Sequence, residues 1–181
     1  MKPGIVVMAE LHGELAERIA EIQRKYDPRM AAELPPHITL TGSSGAGPIS
    51  PKTPVADVQQ ALERAAYAME PFTVRFQPPE RFMQSTVVVL AVSPNGPIRE
   101  LHERIVKSGL EFEQPRFTFT PHCTLSFYPQ LAKQALAELL RVRIDTPVLV
   151  DRIQAYRSLD LTRTERIADA ALGADAARPA V

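Results

Sequence analysis

Two six-residue stretches carry the same arrangement of groups able to move protons, Pro36-His37-Ile38-Thr39-Leu40-Thr41 and Pro121-His122-Cys123-Thr124-Leu125-Ser126. In extended chain, side chains two apart share a face. His37, Thr39 and Thr41 then point one way, and Ile38 and Leu40 the other. The second copy prolongs the alternation, setting Thr118, Thr120, His122, Thr124 and Ser126 against Phe117, Phe119, Cys123, Leu125 and Phe127. An imidazole of ordinary pKa, about 6.5, both accepts and donates a proton near neutrality. Two of them lining one cleft offer a general base and a general acid, and the hydroxyls in phase with them offer donors to developing negative charge.

The elements that must position these strands read as follows. Ile5 to Ala9 is a short β-branched-rich strand. Leu11, Leu15, Ile19 and Ile22 then recur at helical spacing, predicting an amphipathic helix over residues 12–25 that Pro28 stops before the first motif. Residues 42–54, rich in Gly, Ser and Pro, are expected to form a mobile surface loop at the rim of the site. Gly42 and Gly47 have the spacing of a phosphate-cradling loop, but Pro48 stands where its lysine belongs, and that reading fails. Val55 to Met69 predicts a second helix, Phe72 to Gln77 a half-buried strand, and Gln84 to Val92 a central strand. Ile98 to Lys107 predicts a third helix closed by Gly109, and the second motif strand follows over Arg116–Phe127. A fourth helix over Leu131–Leu140 and strands over Val148–Tyr156 and Arg166–Leu172 complete the pattern. Strand, helix, motif strand, helix and two strands are thus followed by helix, motif strand, helix and two strands. The expected fold is α+β, a duplicated two-lobed unit of antiparallel sheets with outer helices and a central cleft between the motif strands. Residues 1–172 form one such domain, and the Ala-rich tail 173–181 is expected to be disordered.

Composition narrows the partners. The chain has 181 residues, 45% of them hydrophobic, enough for a substantial core. Lys plus Arg and Asp plus Glu both total 21, and a balanced charge argues against gripping extended duplex through its phosphates. Cys123 is the sole cysteine, so no internal disulfide forms, and a reducing compartment fits. The apolar run at the N-terminus is too short for a signal peptide and no stretch approaches a membrane span, so a cytoplasmic monomer without membrane contact is expected.

With these residues in view, the chain resembles the 2H phosphoesterases, whose hallmark is two H-x-[ST]-x motifs. His37-Ile38-Thr39-Leu40 and His122-Cys123-Thr124-Leu125 both match, and the element order agrees over roughly residues 3–172. The resemblance implies a hydrolase acting on 2′,3′-cyclic phosphates at RNA 3′ ends or on small cyclic nucleotides, with reversible 2′-5′ RNA ligation as a companion activity. It implies no metal and no cofactor, His37 and His122 as catalytic acid and base, and Thr39 and Thr124 as phosphate contacts. His122 would activate the nucleophile and His37 protonate the leaving oxygen. Apart from the resemblance, Tyr128, beside the second motif, is a candidate to stack on a nucleobase or equally to cap the core.

Each residue also has a plainer reading. A lone histidine is by default structural, and only the doubled motif reverses this. A two-histidine metal site lacks the third protein ligand that zinc requires. His12 and His102 fall on helices outside the repeat and are expected on the surface or a helix face. Cys123 points into the core and serves as a small apolar filler. Arg81, Arg116 and Arg157 are more often solvated charges than phosphate contacts, and Lys2 has no readable direction. The alternative from another class is a non-catalytic module that binds a nucleotide or RNA end.

Overall fold

The computed structural model describes residues 4–82, 85–128, 130–158 and 164–173. Residues 174–181 of the expected tail, and Lys2, lie outside them. In chain order the elements are β1 (Ile5–Glu10), α1 (Gly13–Tyr26), α2 (Pro28–Glu33), β2 (His37–Thr41), α3 (Val55–Ala66), β3 (Phe72–Val74), β4 (Glu80–Arg81) and β5 (Val88–Ala91). There follow α4 (Pro97–Val106), β6 (His122–Ser126), α5 (Lys133–Leu139), β7 (Val148–Val150), β8 (Arg152–Ser158) and β9 (Thr164–Ala171). The fold is α+β with antiparallel sheets, as the sequence predicts.

One sheet runs β2-β1-β8-β9, a second β4-β5-β6, and β3 pairs with β7. Pro78 and Pro79 split what would be one long strand into β3 and β4, because proline cannot donate to the ladder. Between them, Phe76 bridges to Val92 and Gln77 N donates to Ala91 O, so the pieces continue alongside β5. The motif strands β2 and β6 thus end their respective sheets and lie beside each other.

Helices cover the other faces through their apolar stripes. Val58, Ala61, Leu62, Ala65 and Ala66 of α3 pack against β8 and β9, while Ile98, Leu101 and Ile105 of α4 are buried beside the first motif strand. A single cluster of buried side chains runs from Ile5 and Ile38 through Leu62 and Leu101 to Cys123, Leu125 and Ile153. The helices are exchanged between halves. Gln23 of α1, which precedes the first motif, donates to Thr124 O of the second at 2.8 Å, and His102 of α4 bonds Leu40 O of the first, also at 2.8 Å.

Several elements differ from the sequence reading. Pro28 begins α2 instead of ending the helical region, since proline fits the first turn, and Asp27 caps it through Met30 N. Residues 148–158 form two strands in different sheets, separated at Asp151. The second motif strand starts only at His122; of the residues before it, Phe117 makes an isolated parallel bridge to Ser44. The segment after the first motif is stitched down rather than mobile. Gly42 N, Gly45 N and Gly47 N donate to Ala46 O, Phe117 O and Glu113 O at 2.9 Å each, and Ile49 is buried between Ile5 and Phe112. Gly45 has φ +72°, and a Cβ there would lie 2.5 Å from His102 Nε2, so this packing requires glycine.

Candidate active site

His37 opens β2 and His122 opens β6, each preceded by proline. The residue before a proline is pushed into extended conformation. In both copies the carbonyl of that residue meets the imidazole that follows, Pro35 O with His37 Nδ1 and Thr120 O with His122 Nδ1, each at 2.7 Å. A carbonyl only accepts, so Nδ1 carries the proton and Nε2 of each neutral ring carries a lone pair. The prolines keep their place in the ladders, where Leu11 N donates to Pro36 O and Val92 N to Pro121 O, both at 2.9 Å.

The two ladders match residue for residue. Glu10, Ala9 and Met8 pair with His37, Ile38 and Thr39, while Ala91, Leu90 and Val89 pair with His122, Cys123 and Thr124. Each register then shifts at the same place, with Val7 opposite Thr41 and Val88 opposite Ser126, so that Leu40 and Leu125 are the extra, bulged residues. Thr39 and Thr124 remain in phase with their histidines and half-exposed. Thr41 and Ser126 do not stay on that face: the bulge breaks the alternation and both are fully buried. Thr41 Oγ1 accepts from Val7 N at 3.2 Å, which satisfies an amide that the bulge would orphan.

Burial lowers the pKa of both imidazoles below the ordinary histidine value, against the raising effect of their carbonyl partners. A charge on His122 lowers His37 further, and the Glu10 carboxylate pulls weakly the other way. The Phe82 ring covers His122, centroids 4.5 Å apart at 37°. Glu10 is itself held by Tyr156 Oη at 2.8 Å and by Arg166 at 3.6 Å. Cys123 is wholly buried and its thiol is pushed up to about 12 by that burial, so it is no nucleophile at neutral pH.

Tyr128 stands two residues beyond β6 with its hydroxyl committed to Glu33 at 2.5 Å and the Arg29 guanidinium over its ring at 4.0 Å. Burial and the Glu33 carboxylate raise its pKa to about 12. Arg81 Nε donates to Ser85 O, Arg157 donates to Thr53 O and pairs with Glu165, and Arg116 is exposed. His12 is exposed as expected, but His102 is buried, stacked on Phe119 at 3.9 Å. Its place three and four residues from Ile105 and Ile98, on the apolar stripe of α4, was the available sign.

Two contributors escape any reading by motif. Phe82 lies in the connection between β4 and β5, where nothing marks it as a neighbour of His122. Ser44, in the segment after the first motif, accepts from Thr120 N at 3.1 Å and donates to Thr120 O at 3.3 Å. That carbonyl is the one holding His122, so the first half of the chain braces the second histidine. Among the described residues, no group of three or more His, Cys, Asp or Glu is arranged to hold a metal ion, and no helix is long and apolar enough to cross a membrane.

Similarities to known proteins bear on the fold and the family. The structure of E. coli LigT with phosphate superposes with a TM-score of 0.58 at 19% identity, covering 96% of this chain and 100% of that one. LigT with 3′-AMP gives 0.58 at 18% identity over the same shares. TT0787 of Thermus thermophilus gives 0.59 at 16%, covering 93% and 97%. At such identities the likeness speaks for the fold. No curated protein sequence matches the chain. The family model of the 2′-5′ RNA ligase superfamily matches residues 11–161; with both H-x-T motifs on adjacent, identically bulged strands, the chain belongs to that superfamily, the 2H phosphoesterases.

Proposed function

We propose that this protein is a metal-independent phosphoesterase that opens 2′,3′-cyclic phosphates at RNA 3′ ends or on small nucleotides, and that forms 2′-5′ linkages when the 5′-hydroxyl of a second RNA attacks the cyclic phosphate in place of water. The observation that carries the reading is the matched anchoring of the two imidazoles, each with Nδ1–H on a carbonyl at 2.7 Å and Nε2 left to exchange a proton with substrate.

In-line opening of a cyclic phosphodiester needs a proton taken from water and another given to the departing ribose oxygen, on opposite sides of phosphorus. His122, neutral, takes the water proton at Nε2 as the new P–O bond forms. His37, protonated, gives its Nε2 proton to O3′ as the P–O3′ bond breaks, leaving a 2′-phosphate and a 3′-hydroxyl. Thr39 and Thr124, in phase with the histidines, donate to the non-bridging oxygens, where fixed donors act most strongly on developing charge. Tyr128, with its hydroxyl engaged by Glu33 and the Arg29 guanidinium over its ring, is given no part in proton transfer. When the 5′-hydroxyl of a second RNA replaces water, His122 takes its proton as the P–O5′ bond forms and His37 protonates O3′ as the P–O3′ bond breaks, leaving a 2′-5′ linkage and a 3′-hydroxyl.

The test is turnover of a nucleoside 2′,3′-cyclic phosphate by the wild type and by His37→Ala and His122→Ala. Each replacement should lower kcat by roughly 10²–10⁴-fold, with circular dichroism unchanged. A chelator should leave the wild-type rate intact. Near-wild-type rates in His122→Ala, or activity lost to a chelator and restored by zinc, would overturn the reading. Binding of cyclic nucleotides without turnover would instead support a recognition module.

A further inference from the structure

The rings next to His122 have a use that general acid and base chemistry does not exhaust. Phe82 lies tilted over the imidazole at 4.5 Å and 37°, and Phe117 meets Phe82 edge-on with centroids 5.8 Å apart at 87°. Phe117 nevertheless stays 40% exposed, among the few large apolar side chains in the described residues that do so. Its backbone is fixed, since Gly45 N donates to Phe117 O at 2.9 Å and Ser44 bridges to the same residue. A part-exposed aromatic ring on a pinned backbone, within ~10 Å of His122 by two successive ring contacts, suits a flat apolar group attached to the phosphate on which that histidine is proposed to act.

We propose that Phe117, backed by Phe82, is the nucleobase platform of this site, so that the preferred substrate is a nucleoside or unpaired RNA end rather than any small cyclic phosphate. The inference rests on the phosphoesterase reading and names its substrate class. Unpaired bases stack on aromatic rings with little regard to sequence, and the platform predicts broad tolerance of base identity. Tyr128 is less available for the same task, because Arg29 already lies over its ring. Phe82 is a positioning residue, since it touches the imidazole and Phe117.

The experiment compares kcat/KM for adenosine 2′,3′-cyclic phosphate with that for baseless ribose 2′,3′-cyclic phosphate. The wild type should prefer the nucleoside, and Phe117→Ala should shrink that preference at least about fivefold, mainly through KM, while Phe117→Tyr keeps it. Phe117 is exposed, so neither change threatens the fold. An unchanged preference in Phe117→Ala, or its loss in Tyr128→Leu alone, overturns the platform. If the wild type opens neither compound, the phosphoesterase reading falls by itself. The platform is then judged by calorimetric binding of adenosine 2′-monophosphate against ribose 2-phosphate, where the same fivefold loss in Phe117→Ala supports it and an unchanged ratio refutes it.

Discussion

Proton transfer by two imidazoles makes a quantitative demand on pH, and the burial of His37 and His122 sets its direction. In the proposed mechanism the productive free enzyme holds one proton on the pair, so kcat/KM follows the singly protonated fraction and gives a bell between two macroscopic pKa values of the pair. Both imidazoles lie below the ordinary 6.5, burial being the largest cause in each, and a first proton on His122 opposes a second on His37. The bell must then peak on the acid side of about 6.5. Above its upper limb, each pH unit removes close to a factor of ten, so kcat/KM at pH 8 should be at least about tenfold below its maximum. A phosphodiester substrate keeps a single negative charge throughout this range and adds no limb. The assay is kcat/KM for a cyclic nucleotide from pH 4.5 to 9 at constant ionic strength, with stability checked at each end. An optimum at pH 8 or higher, or a flat profile, would show that the two imidazoles do not act as a buried acid and base.

Two further predictions concern what holds this pair in place. Asp27 is 1% exposed and its carboxylate accepts from Met30 N at 3.1 Å, Phe127 N at 2.7 Å and Tyr128 N at 2.8 Å, tying α2 to the end of β6. Asp27→Ala should cost about 3 kcal/mol or more, at ~1–3 kcal/mol for each of the part-buried amides of Met30, Phe127 and Tyr128 left without a partner, and Asp27→Asn less; urea denaturation measures both, and a loss under about 1 kcal/mol would contradict the reading. For His37, His102 and His122 the folded pKa is depressed, chiefly by burial. The unfolded chain therefore binds more protons below about 6.5, and stability should fall as pH drops through that value. The melting temperature should decline between pH 7 and 5, and less so in His102→Gln.

How far this was legible depended on whether the deciding interaction was local. The motif strands and the apolar stripes of α1, α3 and α4 follow from period alone, because one buried face imposes it. The shared bulge does not. It shows only when β2 is laid against β1 and β6 against β5, and it moves Thr41 and Ser126 off the face that strict alternation assigns them. The run from Val148 to Tyr156 reads as one strand because its β-branched character continues, yet Asp151 passes it from the partner of β3 to the partner of β1. Thr118 and Thr120 alternate with Phe117 and Phe119, but this stretch is held by the segment 44–47 instead of a strand partner. Ser44 and Phe82 have no local mark because both act on His122 across the fold.

The proline before each histidine explains why so short a motif suffices. Pro36 and Pro121 hold the preceding residue extended, which brings its carbonyl to Nδ1 of the imidazole and fixes the tautomer without any acidic partner. Histidine pairs elsewhere often depend on a carboxylate for this orientation, and a carboxylate would raise the imidazole pKa. A neutral carbonyl orients the ring while burial keeps it uncharged, so each Nε2 remains a weak base able to release its proton. Doing this twice, on strands with identical register, gives two interchangeable groups. In the proposed mechanism, an acid and a base built alike suit a reaction that runs in both directions, since each histidine must take the other's role when substrate and product exchange places.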